Sequence, residues 1–457
     1  MRSDGSAKGS RTATSEAQGL TPYEESSVDG MPNACGSRSI YTARVINGTV
    51  RIRTGVGSPS LPAMHRLAKD PTQTGSTSTN AVRVTSGALT TTIAVSIPVF
   101  LVGGLAVQVG EELDFSPAGL GLAVSAYFGV SALASVPAGK LVERYGSARI
   151  ARAAIGLAGA SLIGIALAAR SLWTLTAILA LGAAANAMGQ LASNTSLSRY
   201  TPMNRQGLTF GIKQAAIPAC TLLAGAAVPV LALTVGWRWA FVLAGLLAVA
   251  AILLVPRDTG DQKAARKSGR STGPLIVVGI AATLAAGSAN ALGTFVVSSA
   301  VERGIAPGPA GLALTLGGAI CALARIIGGW QADRHPDHQI GVIAALLATG
   351  AAGLLLLAVP GTPALLAGVV LGFGFGWAWP GLMTFAVVRL HPQAPAAATS
   401  ITQTGVYAGG CVGPIVMGTI AQTGGYPAMW FTAAGAMIGA AALMIVGSRL
   451  ISRSGRR

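Results

Sequence analysis

The 457-residue chain carries 32 Lys and Arg against 15 Asp and Glu, for a net charge of +17, yet only 10% of it is charged and 51% is hydrophobic. Soluble chains carry roughly 25% charged residues. The deficit, with a mean hydropathy of +0.59, excludes a set of soluble domains, because ionised groups are costly against lipid. Long unbroken apolar runs also exclude a membrane barrel, whose strands alternate over about 10 residues. The expected fold class is an all-α polytopic membrane protein, its 61 glycines allowing close helix packing.

Residues 1–85 are rich in Ser, Thr, Gly and Arg without sustained periodicity, which predicts a disordered tail. It holds no basic start followed by an apolar core, so no cleaved signal peptide is expected. An over-extended start, with Met31 or Met64 as initiator, is the competing account of this tail. From Thr85 onward, runs of about 20 apolar residues recur, each long enough to cross the bilayer. They predict twelve spans near 86–108, 118–138, 148–169, 173–194, 208–233, 237–256, 274–300, 309–330, 339–359, 361–389, 396–420 and 425–448. Span 10 is long and is expected to project or to bend near Pro380. Three of the four cysteines, Cys220, Cys321 and Cys411, fall inside spans and read as small packing residues.

Lys and Arg concentrate in alternate loops. After even-numbered spans come Lys140, Arg144, Arg149 and Arg152, then Arg199 and Arg205, Arg257 to Arg270, Arg334, and Arg389. The opposite loops hold Arg170, Arg238 and Arg303, and the first of them is acidic. This asymmetry predicts a plasma (inner) membrane protein with both termini cytoplasmic. It also assigns the positive charge to topology, so lipid rather than nucleic acid is the expected surrounding.

The polar linker 257–273 divides the spans six and six, giving bundles at 86–256 and 274–448 with a short cytoplasmic tail at 449–457. An offset of about 190 superposes them: Leu181-Gly182 on Leu371-Gly372, Arg199 on Arg389, Pro202 on Pro392, Phe241 on Phe431. Gln214 pairs with Gln403, and Pro117-Ala118-Gly119-Leu120 with Pro309-Ala310-Gly311-Leu312. The densest repeated feature is the charged hinge Gly139-Lys140-Leu141-Val142-Glu143-Arg144-Tyr145-Gly146-Ser147-Ala148-Arg149, echoed by Gly329-Trp330-Gln331-Ala332-Asp333-Arg334. Two parallel six-helix repeats are a known transporter architecture, with the site near the midplane between them.

On these residues the chain resembles a major facilitator superfamily (MFS) permease over about 85–450. The stretch 139–149 is similar to that family's G-x-L-x-D-R-x-G-R motif, with Glu143 in place of Asp and Arg149 one position late. The resemblance implies two pseudo-symmetric six-helix bundles that rock about a central site. It implies a gating role for Gly139, Glu143, Arg144, Gly146, Arg149, Gly329, Asp333 and Arg334. A topology anchor is the simpler alternative, but it explains neither the glycines nor the acids.

Candidate solute contacts follow from polar residues inside spans. Lys213 lies about 8 Å inside span 5 by helical rise, where it either snorkels to the surface or faces a cavity and meets an anionic or carbonyl-bearing solute. Gln214 and its repeat mate Gln403 either bind solute from both bundles or pack helices. Asn186, Gln190 and Asn194 stack on one face of span 4. Arg325 snorkels, pairs with a hinge acid or lines the cavity, and Trp377 forms either a site wall or part of an aromatic belt. Asn290 and Tyr407 complete the set. His335 and His338 are too few for a metal site, and no Walker loop, HExxH or GxSxG appears.

The expectation is therefore not an enzyme but a monomeric secondary transporter without cofactors. It moves a small organic solute, anionic or polar, by alternating access, with a proton or counter-solute as a potential coupling partner. Proton-driven efflux of toxic compounds is the second reading, disfavoured because the drug-antiporter glycine–proline signature of span 5 is absent. A solute sensor without flux is the third, and it would need a folded output domain.

Overall fold

The computed structural model describes residues 41–46, 49–54, 71–201, 205–255, 273–390 and 395–454. Two units separate, 1–69 and 70–457. In the first, within the stretch expected to lack structure, strands β1 (Tyr41–Ile46) and β2 (Thr49–Thr54) pair antiparallel, Tyr41 opposite Thr54.

The second unit is helical throughout its described residues. Its elements are α1 (Pro71–Gly104), α2 (Ala106–Leu113), α3 (Pro117–Tyr145), α4 (Ser147–Ala168), α5 (Leu172–Tyr200), α6 (Gln206–Ala227) and α7 (Trp237–Ala251). After the linker come α8 (Gly273–Glu302), α9 (Pro307–Arg334), α10 (Gln339–Ala358), α11 (Thr362–Leu371), α12 (Pro380–Leu390) and α13 (Pro395–Ser454). Eleven helical stretches are long and apolar enough to cross a membrane. The last of them, Ile401–Ser452, breaks at Gly425, whose φ of 79° is left-handed. It therefore supplies two spans, and the total reaches the expected twelve. The expected bend in span 10 is a full interruption: α11 passes into a π-turn at Gly372–Gly376, and α12 begins only at Pro380. Proline cannot donate to a helical ladder, so the break falls where the sequence removes a donor.

Caps place the ends. Ser116 accepts from the Gly119 amide at the start of α3, and Ser171 with Thr174 closes a reciprocal capping box on α5. Outward faces are apolar, with Leu253 88% exposed and Trp173 71% exposed, as a lipid-facing surface requires. Between the bundles, helices approach at backbone distance. A Cβ added to Gly121 of α3 would sit 2.2 Å from the Pro414 carbonyl oxygen of α13, and one on Gly225 of α6 would sit 2.4 Å from the Gly311 oxygen of α9. In lipid, association rests on such close packing because apolar burial gives little net drive.

Candidate functional site

Three polar clusters lie inside the helical unit. The first is within the first bundle. Asn186 and Gln190 stand four residues apart on α5 and share a face. The Asn186 amide donates to Ser131 Oγ of α3 (3.2 Å), and Gln190 Nε2 donates to Ser96 Oγ of α1 (3.4 Å). Gln190 Oε1 accepts from Lys213 Nζ of α6. Lys213 is 1% exposed and is among the largest fully buried side chains. It does not snorkel; its ammonium ends against the Gln190 side chain. Asn194, the third member of the expected stripe, is exposed.

The second cluster joins the bundles. Arg325 of α9 is 3% exposed. Its Nε and Nη2 both donate to the Trp377 carbonyl, at 3.0 and 2.7 Å, and its Nη1 donates to the Gln214 carbonyl of α6 at 2.7 Å. The Gln214 carbonyl is available because Pro218, four residues on, has no N–H to donate, and the Trp377 carbonyl because the helix of span 10 is interrupted there. The guanidinium stands 5.7 Å from the Trp377 ring centroid. Trp377 in turn contacts Phe100 of α1 and Phe373, each at 5.7 Å between centroids. Trp377 and Trp379 are therefore interior walls, not belt residues. Buried Gln214 Oε1 and Trp379 Nε1 have no hydrogen-bond partner. Arg325 bonds the carbonyl of the residue next to Lys213, which brings the two cations to adjacent positions across the junction.

The third cluster borders the first, because Ser135 of α3 donates to the Ser131 carbonyl at 2.8 Å. Tyr407 of α13 faces Gln403 and Ser135 of α3, so Gln403 does not join Gln214. Asn290 donates to the Ala286 carbonyl of its own helix at 2.8 Å and reaches none of the clusters through that bond.

At the end of the unit carrying the basic loops, the two hinge copies differ. Asp333 accepts from the Gly207 and Leu208 amides at the start of α6, both at 2.8 Å, as a carboxylate does at a helix N-terminus. Gly329 packs against the same segment: an added Cβ would lie 2.5 Å from the Gly207 oxygen. Arg334 stacks on Trp330, 3.7 Å from its ring centroid. A Cβ added to Gly139 would meet no other helix or side chain within 4 Å among the described residues. Glu143, Arg144 and Arg149 are exposed while Gly146 adopts φ 90° between α3 and α4. Ser96, Ser131, Phe100, Phe373 and Pro218 join the clusters without having been expected. Only Pro218 left a signal in the sequence, a proline four residues past a site candidate.

Two packed six-helix repeats, with buried polar side chains on both sides of their junction, define a polytopic membrane carrier. The sequence profile of the Major Facilitator Superfamily matches residues 84–278 and again 278–456, and the chain belongs to that family. It is thus a secondary transporter rather than an enzyme by family and fold. Among solved structures it is similar to a bacterial homologue of the human lysosomal transporter Spinster, in an inward-facing and occupied conformation. The TM-score is 0.62 at 16% identity, covering 83% of this chain and 97% of that one. At that identity the likeness concerns the fold.

Proposed function

We propose that the protein carries a small organic anion across the plasma membrane by alternating access. The reading is carried by one observation: Lys213 and Arg325 are buried on opposite bundles, and among the described residues no carboxylate pairs with either. Every Asp and Glu within a span, namely Glu143, Glu302 and Asp333, lies in the last turn of its helix. The salt bridge Glu112–Arg238 lies elsewhere in the first bundle. Two unpaired cations in a low-dielectric interior are costly, and a bound anion offsets that cost. A cationic drug would meet two like charges, which disfavours the efflux reading.

Lys213 supplies the point charge, oriented by Gln190. Gln214 Oε1 and Trp379 Nε1, both unpartnered, are open to polar groups of the solute. Asp333 at the start of α6 acts as the gate latch, with the basic loops and both termini cytoplasmic. Purified protein in liposomes tests this. Flux of labelled organic anions is expected to exceed that of matched neutral and cationic solutes. Lys213→Gln should raise KM at least about tenfold, the scale of one charged hydrogen bond, while Lys213→Arg retains part of the activity. Cation flux indifferent to Lys213→Gln would overturn the anion assignment. Imposed proton gradients and trans-side solute distinguish proton coupling from exchange.

A further inference from the structure

Arg325 spends three of its N–H groups on backbone carbonyls, and the two acceptors belong to different bundles. The Trp377 carbonyl, on the same bundle as Arg325, takes two bonds; the Gln214 carbonyl, on the other bundle, takes one. In an unbroken helix the Gln214 carbonyl would accept from the amide four residues on. That residue is Pro218, which has none. The bond across the junction therefore exists because a proline in α6 leaves an acceptor without its helical donor, in a place where an unmet carbonyl is expensive.

We propose that Arg325 and Pro218 form a mid-membrane latch between the bundles, in which Arg325 remains anchored to Trp377 and makes or breaks its single bond to the Gln214 carbonyl as the bundles rock. Both residues are positioning residues of the transport cycle, independent of which solute is carried. Three features support the assignment. The bond counts are unequal, so separation of the bundles breaks the Gln214 bond and leaves the Trp377 pair intact. The latch lies one helical turn from the contact of Gly329 with α6 and two turns from the Asp333 cap, so all three contacts close one side together. The guanidinium fork reaches two carbonyls at once, which an ammonium cannot do. A free carbonyl and a buried arginine each cost less when they meet, so the pair biases the closed arrangement without an acid in the interior.

The experiment measures bundle separation in the full-length protein without solute, so its outcome does not depend on the anion assignment. Spin labels at Lys140→Cys and Asp337→Cys, both exposed positions on the basic-loop side, report the distance between bundles in lipid nanodiscs. Cys35→Ser and Cys411→Ser remove two of the four thiols, while Cys220 and Cys321 are buried and stay. Arg325→Lys keeps the charge and removes the fork. Pro218→Ala returns an N–H to the Gln214 carbonyl, and Pro218→Gly does the same if the alanine variant does not fold. Each is expected to raise the ratio of separated to closed molecules by roughly tenfold, the scale of one hydrogen bond to a charged group.

The decisive reading is the double variant. Because both changes act on one bond, Arg325→Lys with Pro218→Ala should shift the ratio no further than either alone. Additive shifts would mean that proline acts by bending α6, and would overturn the latch. A folded Arg325→Lys protein with an unchanged distance distribution would overturn it as well.

Discussion

Gly329 and Gly139 occupy matching places in the sequence repeat, but the structure gives them unlike surroundings. Gly329 lies against the α6 backbone, and a methyl group there meets the Gly207 oxygen at 2.5 Å, a backbone atom that cannot swing aside. The space at Gly139 is open among the described residues. Gly329→Ala is therefore expected to push α9 from α6, stretch the Asp333 cap and cut the turnover number at least about tenfold, since capping interactions of this kind contribute about 1 kcal/mol or more. Gly139→Ala should stay within about twofold of wild type. Flux assays on the pair check this, and equal losses would refute the asymmetry. At this scale the sequence displayed the motif twice but not which copy is tightly packed, because packing depends on the partner helix.

Single elements show how local chemistry is turned to use. Span 10 is interrupted at Gly372–Trp379, and the interruption turns one carbonyl toward Arg325. A proline at position 380 made a bend predictable; the donor that meets the Trp377 carbonyl was not, being 52 residues away. On the side opposite the basic loops, α2 and α7 are tied by Glu112, which accepts from Trp237 Nε1 at 2.6 Å and pairs with Arg238. The bond from Arg238 holds the Glu112 carboxyl below its ordinary value of 4.5, against the opposing push of partial burial, with Trp237 adding to the lowering. A depressed carboxyl pKa gives stability that is present above the unfolded value and is lost as pH falls through the folded one. Melting curves of wild type and Glu112→Gln should accordingly differ at neutral pH and converge on acidification below about 4.5. The neutral-pH gap should be small, about 1 kcal/mol or less, because the pair is partly exposed. A gap that persists unchanged in acid would contradict the assignment.

For the whole molecule, the proposed orientation places the Lys140 loop inside and the Glu111 loop outside. In intact cells, on a background with Cys35→Ser and Cys411→Ser, Glu111→Cys is expected to react with a membrane-impermeant maleimide. Lys140→Cys should react only after permeabilisation, and the reverse pattern would invert the topology. Span count, the repeat and the family were legible in the chain alone, because lipid demands about 20 apolar residues per crossing and tolerates charge only at the ends. Lys213, Gln190 and Asn186 were also legible as polar residues out of place, and they do form one cluster. Gln214 and Gln403 read equally well as a pair, yet they lie in different clusters. Arg325 stood out by cost alone, and only the folded chain shows its three carbonyl bonds. Spacing along a helix fixes which residues share a face, while the partner of a buried charge lies on another helix and is set by how the two bundles close. The sequence thus determined a twelve-span carrier with unbalanced buried charge. The tertiary structure decided what each buried charge meets, since a backbone acceptor released by a proline or a helix break carries no side-chain signature of the donor that will find it.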